Sequence, residues 1–264
     1  MLKVNRANFY YKSRKKLDND NIIANEINEL WSKHSFLGYR KIAIILRQEK
    51  LYRINHKKVL RLMRLMNLKA IYAKPRTIFT NKKAIICKYP YLLKNLPINH
   101  ANQVWSTDIT YIKMPKGFVY LTALIDIYSR FIVSWKLSIS MDTEFCLSVL
   151  NKGLEQYKPK IINSDQGSQF TSNDWINSLQ KNDIGISMDG VGRWADNIYI
   201  ERFWRTLKQE QIYINPSANI SELKQQIDSF IKFYNHQRPH QSLKYQTPSQ
   251  VFYGDKMKRK ELVF

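Results

Sequence analysis

At 264 residues, with 44% hydrophobic and 13% aromatic side chains, the chain is long enough for one large or two smaller globular domains with a real core. A formal net charge of +22 and a pI near 9.9 call for a polyanionic partner, nucleic acid before a membrane surface. The basic start (Lys3, Arg6, Lys12, Arg14) leads into no apolar segment, "FVYLTALIDIY" is too short for a membrane span and carries Asp126, and Cys87 and Cys146 form no CxxC pair. Those features argue against a signal peptide, a membrane anchor and a zinc or dithiol site, and the expectation is a cytoplasmic protein with inert thiols.

The charge is unevenly spread. Residues 1–100 hold 23 Lys+Arg against 5 Asp+Glu, whereas residues 101–264 hold 20 against 16. A nucleic-acid-gripping front half is therefore expected ahead of a different kind of module.

From Asp20, Ile22, Ile23, Ile27, Leu30 and Trp31 recur at helical spacing. "GYRKIAIILRQEK" predicts a second helix with Tyr39, Ile42 and Leu46 on one face. Asn55 is a good N-cap for a third, "HKKVLRLMRLMNL". In that third helix Val59, Leu62, Met63 and Met66 form an apolar stripe, while Lys57, Arg61 and Arg64 fall at i, i+4 and i+7 on another face. A helix, a short break and a helix with a cationic face is the pattern of an all-helical helix-turn-helix domain, expected over residues 1–68 with Lys57, Arg61 and Arg64 as DNA contacts. Residues 69–100, with Pro75, Pro90, Pro97 and many lysines, read as a basic extended linker.

The pattern changes at Asn102. "QVWSTDITYIKM" alternates Trp105, Thr107, Ile109 and Tyr111 against Ser106, Asp108 and Thr110, as a half-buried strand does. A Pro-Lys-Gly turn at 115–117 leads into "FVYLTALIDIY" and then "RFIVSWKLSIS", an antiparallel meander. "DTEFCLSVLNKGLEQY" is helical with Thr143 as its cap, and "KPKIINS" is a fourth strand, parallel to one of the first three because a helix intervenes. "SNDWINSLQKND" is a helix, "GISMD" a fifth strand, "ADNIYIERFWRTLKQEQIY" one long helix, and "SELKQQIDSFIKFYNH" a last helix stopped by Pro239. The expected fold is α/β, a mixed five-stranded sheet flanked by helices over residues 101–252, followed by a basic tail at 253–264.

Three carboxylates stand apart in this frame. Asp108 sits inside a core strand, where an acid is disfavoured unless something satisfies it. Asp165 ends the fourth strand in "NSDQGSQ", where an open α/β sheet places its ligands and where Gly167 lets the chain turn sharply. Glu201 lies with Asn197, Arg205 and Lys208 on the helix side opposite Ile200, Phe203 and Leu207. Carboxylates converging in a cleft take up protons or a divalent cation, and oxygen-only ligands select Mg2+ or Mn2+. Two such ions about 3.5–4 Å apart serve phosphodiester chemistry.

"WSTDITYI", "LIDIYSR", "NSDQGSQFTS", "DNIYIERFWRTLKQE" and "YNHQRPHQSLKYQTP" resemble the bacterial insertion-sequence transposases with a retroviral-integrase-like catalytic core, in particular the product of a downstream reading frame. The thirty-five residues between Asp165 and Glu201 match the spacing of that Asp-Asp-Glu family. The resemblance covers residues 100 to 250, and "GYRKIAIILRQ" with "INHKKVLRLMRLMNL" resembles the family's helix-turn-helix. It implies an RNase H-like core, two Mg2+ ions held by Asp108, Asp165 and Glu201, Lys208 on the terminal DNA phosphates, Arg205 beside it, and Asn197 supporting the site. It further implies terminal-repeat and target DNA as substrates, strand cleavage and transfer as activity, a homo-multimer, an upstream-frame protein or fusion as partner, and nucleoid association. A catalytically silent DNA-binding copy and a nuclease that only hydrolyses are the competing readings.

Other groups carry blander expectations. Asp126 is expected to partner Arg130, Asp189 to end a turn and Asp196 to start a helix. His236 and His240 lack a further ligand for zinc, so Arg238 and His240 should brace the C-terminal segment or touch DNA. Trp175 and Trp204 read as core aromatics, and Gln166 to Gln169 as further candidates for DNA contact.

Overall fold

A computed structural model describes residues 17–71, 89–189 and 197–254; the basic start, Pro75, Cys87, Asp196 and the tail from 255 lie outside them. Two compact units emerge, Met1–Ile71 and Tyr72–Phe264.

The first unit is three helices, α1 (Leu17–Lys33), α2 (Tyr39–Gln48) and α3 (His56–Leu65). Its core is Ile23 and Ile27 from α1, Ile42, Ile45 and Leu46 from α2, and Val59, Leu62 and Met63 from α3. Ile22, expected among the apolar positions of α1, faces solvent. Asn55 caps α3 by accepting from the Lys57 backbone N–H at 2.9 Å. Asp20 in the first turn of α1 ties that helix to α3 through Lys58 (2.6 Å) and Arg61 (2.5 Å). Those two bonds hold its carboxyl below the usual carboxylate range.

The second unit is built on a five-stranded sheet in the order β3-β2-β1-β4-β5, with β1 (Val104–Lys113), β2 (Phe118–Asp126), β3 (Ile132–Ser138), β4 (Ile161–Ser164) and β5 (Gly185–Met188). The first three strands are antiparallel neighbours, and β4 and β5 run parallel to β1. This is the mixed RNase H-like sheet. The β1–β2 turn is tight because Gly117 takes a φ of +80° and its carbonyl accepts from Met114 N–H. On one face α4 (Thr143–Leu154) and α5 (Asn173–Lys181) close over Trp105, Leu124, Ile162, Phe170 and Trp175. Gly153 is where α4 comes closest, since a Cβ there would meet Leu124 at 3.0 Å and Trp105 at 3.2 Å. The cap of α4 is Asp142 and not Thr143, because Asp142 is the last residue with extended backbone angles and its carboxylate accepts from the third helical amide, Phe145 N–H.

By strand alternation Ser106 and Asp108 turn to the other face, along which α6 (Ile198–Leu207) runs. The opening residues of β1 are thus buried on both sides, where half-burial was expected. The helix expected to be continuous through Tyr213 changes hydrogen-bonding at Lys208–Ile212 into a π turn, closed by Tyr213 N–H to the Lys208 carbonyl. Helix α7 (Ile220–His236) lies along β3, and Asn235 satisfies both backbone groups of Ile132 at 2.9 and 3.0 Å, close to the β2–β3 register shift. Beyond α7, Arg238 forms a buried two-pronged bond to Glu210 of the π turn (2.7 and 2.6 Å), His240 packs edge-on against Tyr234, and Phe252 of α8 (Pro248–Tyr253) stacks on Phe131. The segment 89–98, expected as linker, belongs to the sheet edge: Met188 N–H donates to the Pro90 carbonyl and Leu92 N–H to Ser187 Oγ.

Candidate active site

The register of β1 with β4 pairs Val104 with Ile161, Trp105 with Ile162 and Ser106 with Asn163. Two further steps along each strand reach Asp108 and Asp165, so parallel pairing brings two acids 57 residues apart to neighbouring positions at the carboxyl end of β4. Ladder pairing with β4 stops there, and among the described residues β1 beyond Ser106 has β2 as its one strand partner.

Asp108 is held by two donors. Its Oδ1 accepts from Ile109 N–H at 2.8 Å and its Oδ2 from Trp204 Nε1 at 3.0 Å. Burial and the nearby Asp165 charge, with a smaller contribution from Glu201, nevertheless push its carboxyl up to about 7. Asp165 is fixed differently. Its Oδ1 accepts from Gly167 N–H at 2.9 Å, an Asx-type turn. A Cβ on Gly167 would stand 2.9 Å from that same oxygen, so the glycine makes room for the carboxylate.

Helix α6 is registered on β1 at three points. Asn197 at its N-terminus accepts from Ser106 Oγ and donates to the Thr107 carbonyl at 3.1 Å. Trp204 reaches Asp108, and the Lys208 ammonium lies 5.1 Å over the Tyr111 ring. Residues 197, 204 and 208 share one side of the helix, and Glu201, four residues after Asn197 and three before Trp204, falls on that side at the level of Asp108. Burial lowers the Lys208 ammonium below its ordinary range, with the Asp108 charge opposing the shift. Glu201 and Arg205 are exposed. Among the described residues no three His, Cys, Asp or Glu groups stand close enough to one point to hold a metal ion. The donor chemistry still fits a hard divalent cation: three carboxylates whose mutual repulsion is registered at Asp108, with oxygen the only ligand type.

Other sequence expectations resolve as follows. Asp126 is fully buried, but it accepts from Ser129 Oγ, Ser129 N–H and Asn102 N–H, while the Arg130 guanidinium stacks 3.7 Å over Tyr199. The hydrogen bonds to the Asp126 carboxylate come from backbone and hydroxyl donors, while Arg130 engages Asp126 through its charge and by donating its backbone N–H to the Asp126 carbonyl at 2.8 Å. Gln166 donates to the Asp189 carbonyl and Gln169 to the Met141 carbonyl, so both brace the loop after β4. Asp189 accepts from Asn163. Arg238 and His240 brace the C-terminal segment. Trp204 is the residue that sequence reasoning undervalued, because an indole on the buried side of a helix looks like packing alone; its spacing of three from Glu201 was the available signal. In the first unit Lys57 and Arg64 are exposed, and Arg61 is engaged by Asp20.

The Integrase core domain family matches residues 98–193, a second Integrase core domain family matches 182–248, and an HTH-like domain family matches 18–76. The chain is 31% identical over 249 residues to InsK, assigned as a transposase for insertion sequence element IS150 of Escherichia coli, covering 92% of this chain and 88% of that one. It is 33% identical over 199 residues to the transposase for insertion sequence element IS904 of Lactococcus lactis, covering 74% and 79%. Among solved structures, a chain of the simian T-cell lymphotropic virus intasome in complex with a PP2A regulatory subunit superposes with a TM-score of 0.53 at 16% identity, covering 86% of this chain and 74% of that chain, a likeness of fold.

Proposed function

Because the chain belongs to the insertion-sequence transposases with an integrase core domain, and is thereby a DNA transposase of the polynucleotidyl transferase class, we propose that it binds the element's terminal repeats and cuts and joins DNA strands at Asp108, Asp165 and Glu201. The observation that carries this reading is the Asp108 carboxyl, raised to about 7 by burial and by its two acidic neighbours in a position that packing has no use for.

Asp108, Asp165 and Glu201 would hold two Mg2+ ions, with Mn2+ an acceptable substitute. Bound there, the ions supply Lewis acidity at the attacking and leaving oxygens of an in-line displacement. The chain's own residues do the positioning. Trp204 and the Ile109 amide orient the Asp108 carboxylate, the Gly167 amide orients Asp165, and Asn197 anchors the start of α6, whose Glu201 lies near enough for its charge to reach Asp108 and would close in on a bound cation. Burial and the neighbouring acids favour a protonated Asp108 carboxyl, and a cation held there would favour the carboxylate instead. Lys208, with Arg205 further out, neutralises the phosphate whose bond is broken, and Lys57, Arg64 and Arg61 on α3 grip duplex phosphates. Water first cuts one strand, and the 3′-hydroxyl so released attacks a second phosphodiester; positioning and charge neutralisation suffice for both displacements. Two DNA ends must meet, so the working form is a homo-multimer on nucleoid DNA, together with an upstream-frame protein or fusion.

The test incubates the purified chain, with and without the upstream-frame protein, with terminal-repeat DNA and Mg2+. Strand joining should vanish in Asp165→Asn and Glu201→Gln while DNA binding persists. Joining that survives both substitutions would overturn the site assignment, and binding without joining by the unsubstituted chain under both conditions would favour a catalytically silent DNA-binding protein.

A further inference from the structure

The scheme above leaves unused a groove of about 1040 Å3 at the turn end of the β1–β2 hairpin. One wall is the hairpin, and the other is Lys208, Ile212, Tyr213 and the segment leading into α7. Three of its rings, Tyr111, Phe118 and Tyr213, are 49, 52 and 47% exposed, and Tyr111 meets Phe118 edge to face at 5.7 Å. Its cations are Lys113 and Lys208, and no Asp or Glu lines it among the described residues. Half-exposed rings with two ammonium groups and no carboxylate suit a partner that is flat, apolar on its faces and anionic along its length. A single nucleic-acid strand has that make-up, because bases stack on aromatic side chains whatever their sequence while lysines follow the backbone.

Lys208 links the groove to the carboxylate site: its ammonium lies 5.1 Å over the Tyr111 ring and is near enough to Asp108 for that charge to act on it. Among the described residues β1 pairs here with β2 alone, so no described strand lies on that side. We propose that the groove receives one or two unpaired bases of the DNA end whose phosphodiester lies at Asp108, Asp165 and Glu201. The bases stack on Tyr111 and Phe118, and Lys113 holds a flanking phosphate next to the one that Lys208 neutralises. Strand separation at the end is thus coupled to placement of its phosphodiester. This rests on the transposase reading of the carboxylate site.

The experiment uses the full chain and two fluorescent duplexes of one sequence, one blunt and one with a short unpaired thymidine tail. Tyr111→Ala with Phe118→Ala is expected to lower affinity for the tailed duplex roughly tenfold or more, while blunt-duplex affinity changes less than about twofold. Tyr111→Phe should retain tailed-duplex binding, and 5-iodouracil in the tail should cross-link to Tyr111 or Phe118. Both rings are half exposed, and matching thermal melts would show that the double variant folds. Unchanged tailed-duplex affinity in the double variant overturns the proposal, as does an equal loss on both duplexes. A change in sedimentation with DNA binding intact also overturns it, making the groove an interface between copies. Asp165→Asn separates the two readings: it should lose strand joining and keep the preference for the tail. If the unsubstituted chain joins nothing yet shows an aromatic-dependent tail preference, the transposase chemistry fails and the groove stands.

Discussion

Asp108 has an ordinary carboxyl value in the unfolded chain, near 3.8, and about 7 in the folded one. Between those limits the unfolded chain releases a proton that the folded chain keeps, so stability contributed by this group is full below pH 4 and is lost as pH climbs to 7. Asp108→Asn does not titrate, and it should stabilise the metal-free chain by about 2 kcal/mol at pH 8 and by almost nothing at pH 4, measured by urea unfolding at both. Trp204 favours the charged carboxylate through its 3.0 Å bond. Trp204→Phe should therefore raise the Asp108 value further and move the acid limb of the strand-joining profile to higher pH. Gly167→Ala sets a methyl against the Asp165 carboxylate and is expected to cost about tenfold in joining rate, a displacement of roughly 1.4 kcal/mol, with DNA affinity retained. At this scale the three acids could be picked out because an acid within a core strand lacks a packing reason, and because their spacing resembles a known family. Their supports could not be. Gly167 read as a turn residue when its reason is the space a carboxylate occupies, and Trp204 read as core when its indole N–H also holds a carboxylate.

Single side chains here also complete whole elements. Asn235 stands in for a neighbouring strand at Ile132, giving and accepting one hydrogen bond from a buried position on α7. Asn235→Ala leaves two buried backbone groups unpaired and is expected to cost about 3 kcal/mol, read from the denaturation midpoint. Arg238→Ala removes the two-pronged bond to the buried Glu210 carboxylate and should cost about 3 kcal/mol, read from the denaturation midpoint. The strands and helices themselves were legible, since alternation over 104–113 and the apolar stripes of α2 and α3 survive in any packing arrangement. Their ends and connections were less so. Asp142 and Thr143 are both good capping types one residue apart, and only backbone geometry decides between them. Residues 89–98 bond to β5 through main-chain groups that every residue possesses, which no composition reveals.

For the whole molecule, the charge asymmetry separates a gripping function from a cutting one. Binding to duplex DNA should weaken steeply with salt, and Lys57→Ala with Arg64→Ala should reduce the slope of log affinity against log salt by about 0.9 for each phosphate no longer neutralised. Arg61→Ala should also reduce the slope and, in addition, lower the melting temperature of the three-helix unit slightly, because its partner Asp20 belongs to α1. A salt titration alongside a thermal melt distinguishes the two outcomes. No helix among the described residues is long and apolar enough to cross a membrane.

The π turn at Lys208–Ile212 bears on how the chain can change in length. A regular helix advances by about 100° per residue, so the extra residue of a π turn resets the angular phase of everything downstream of Lys208 relative to Glu201. Removing any one residue between 208 and 212 would restore a regular helix that is locally at ease. It would also rotate Glu210 away from Arg238 and the C-terminal brace away from the sheet. Substitutions on the surface of this stretch should thus be absorbed, whereas a single-codon deletion should be lethal to folding, and a deletion scan would find its sharpest boundary within one turn of the end of α6.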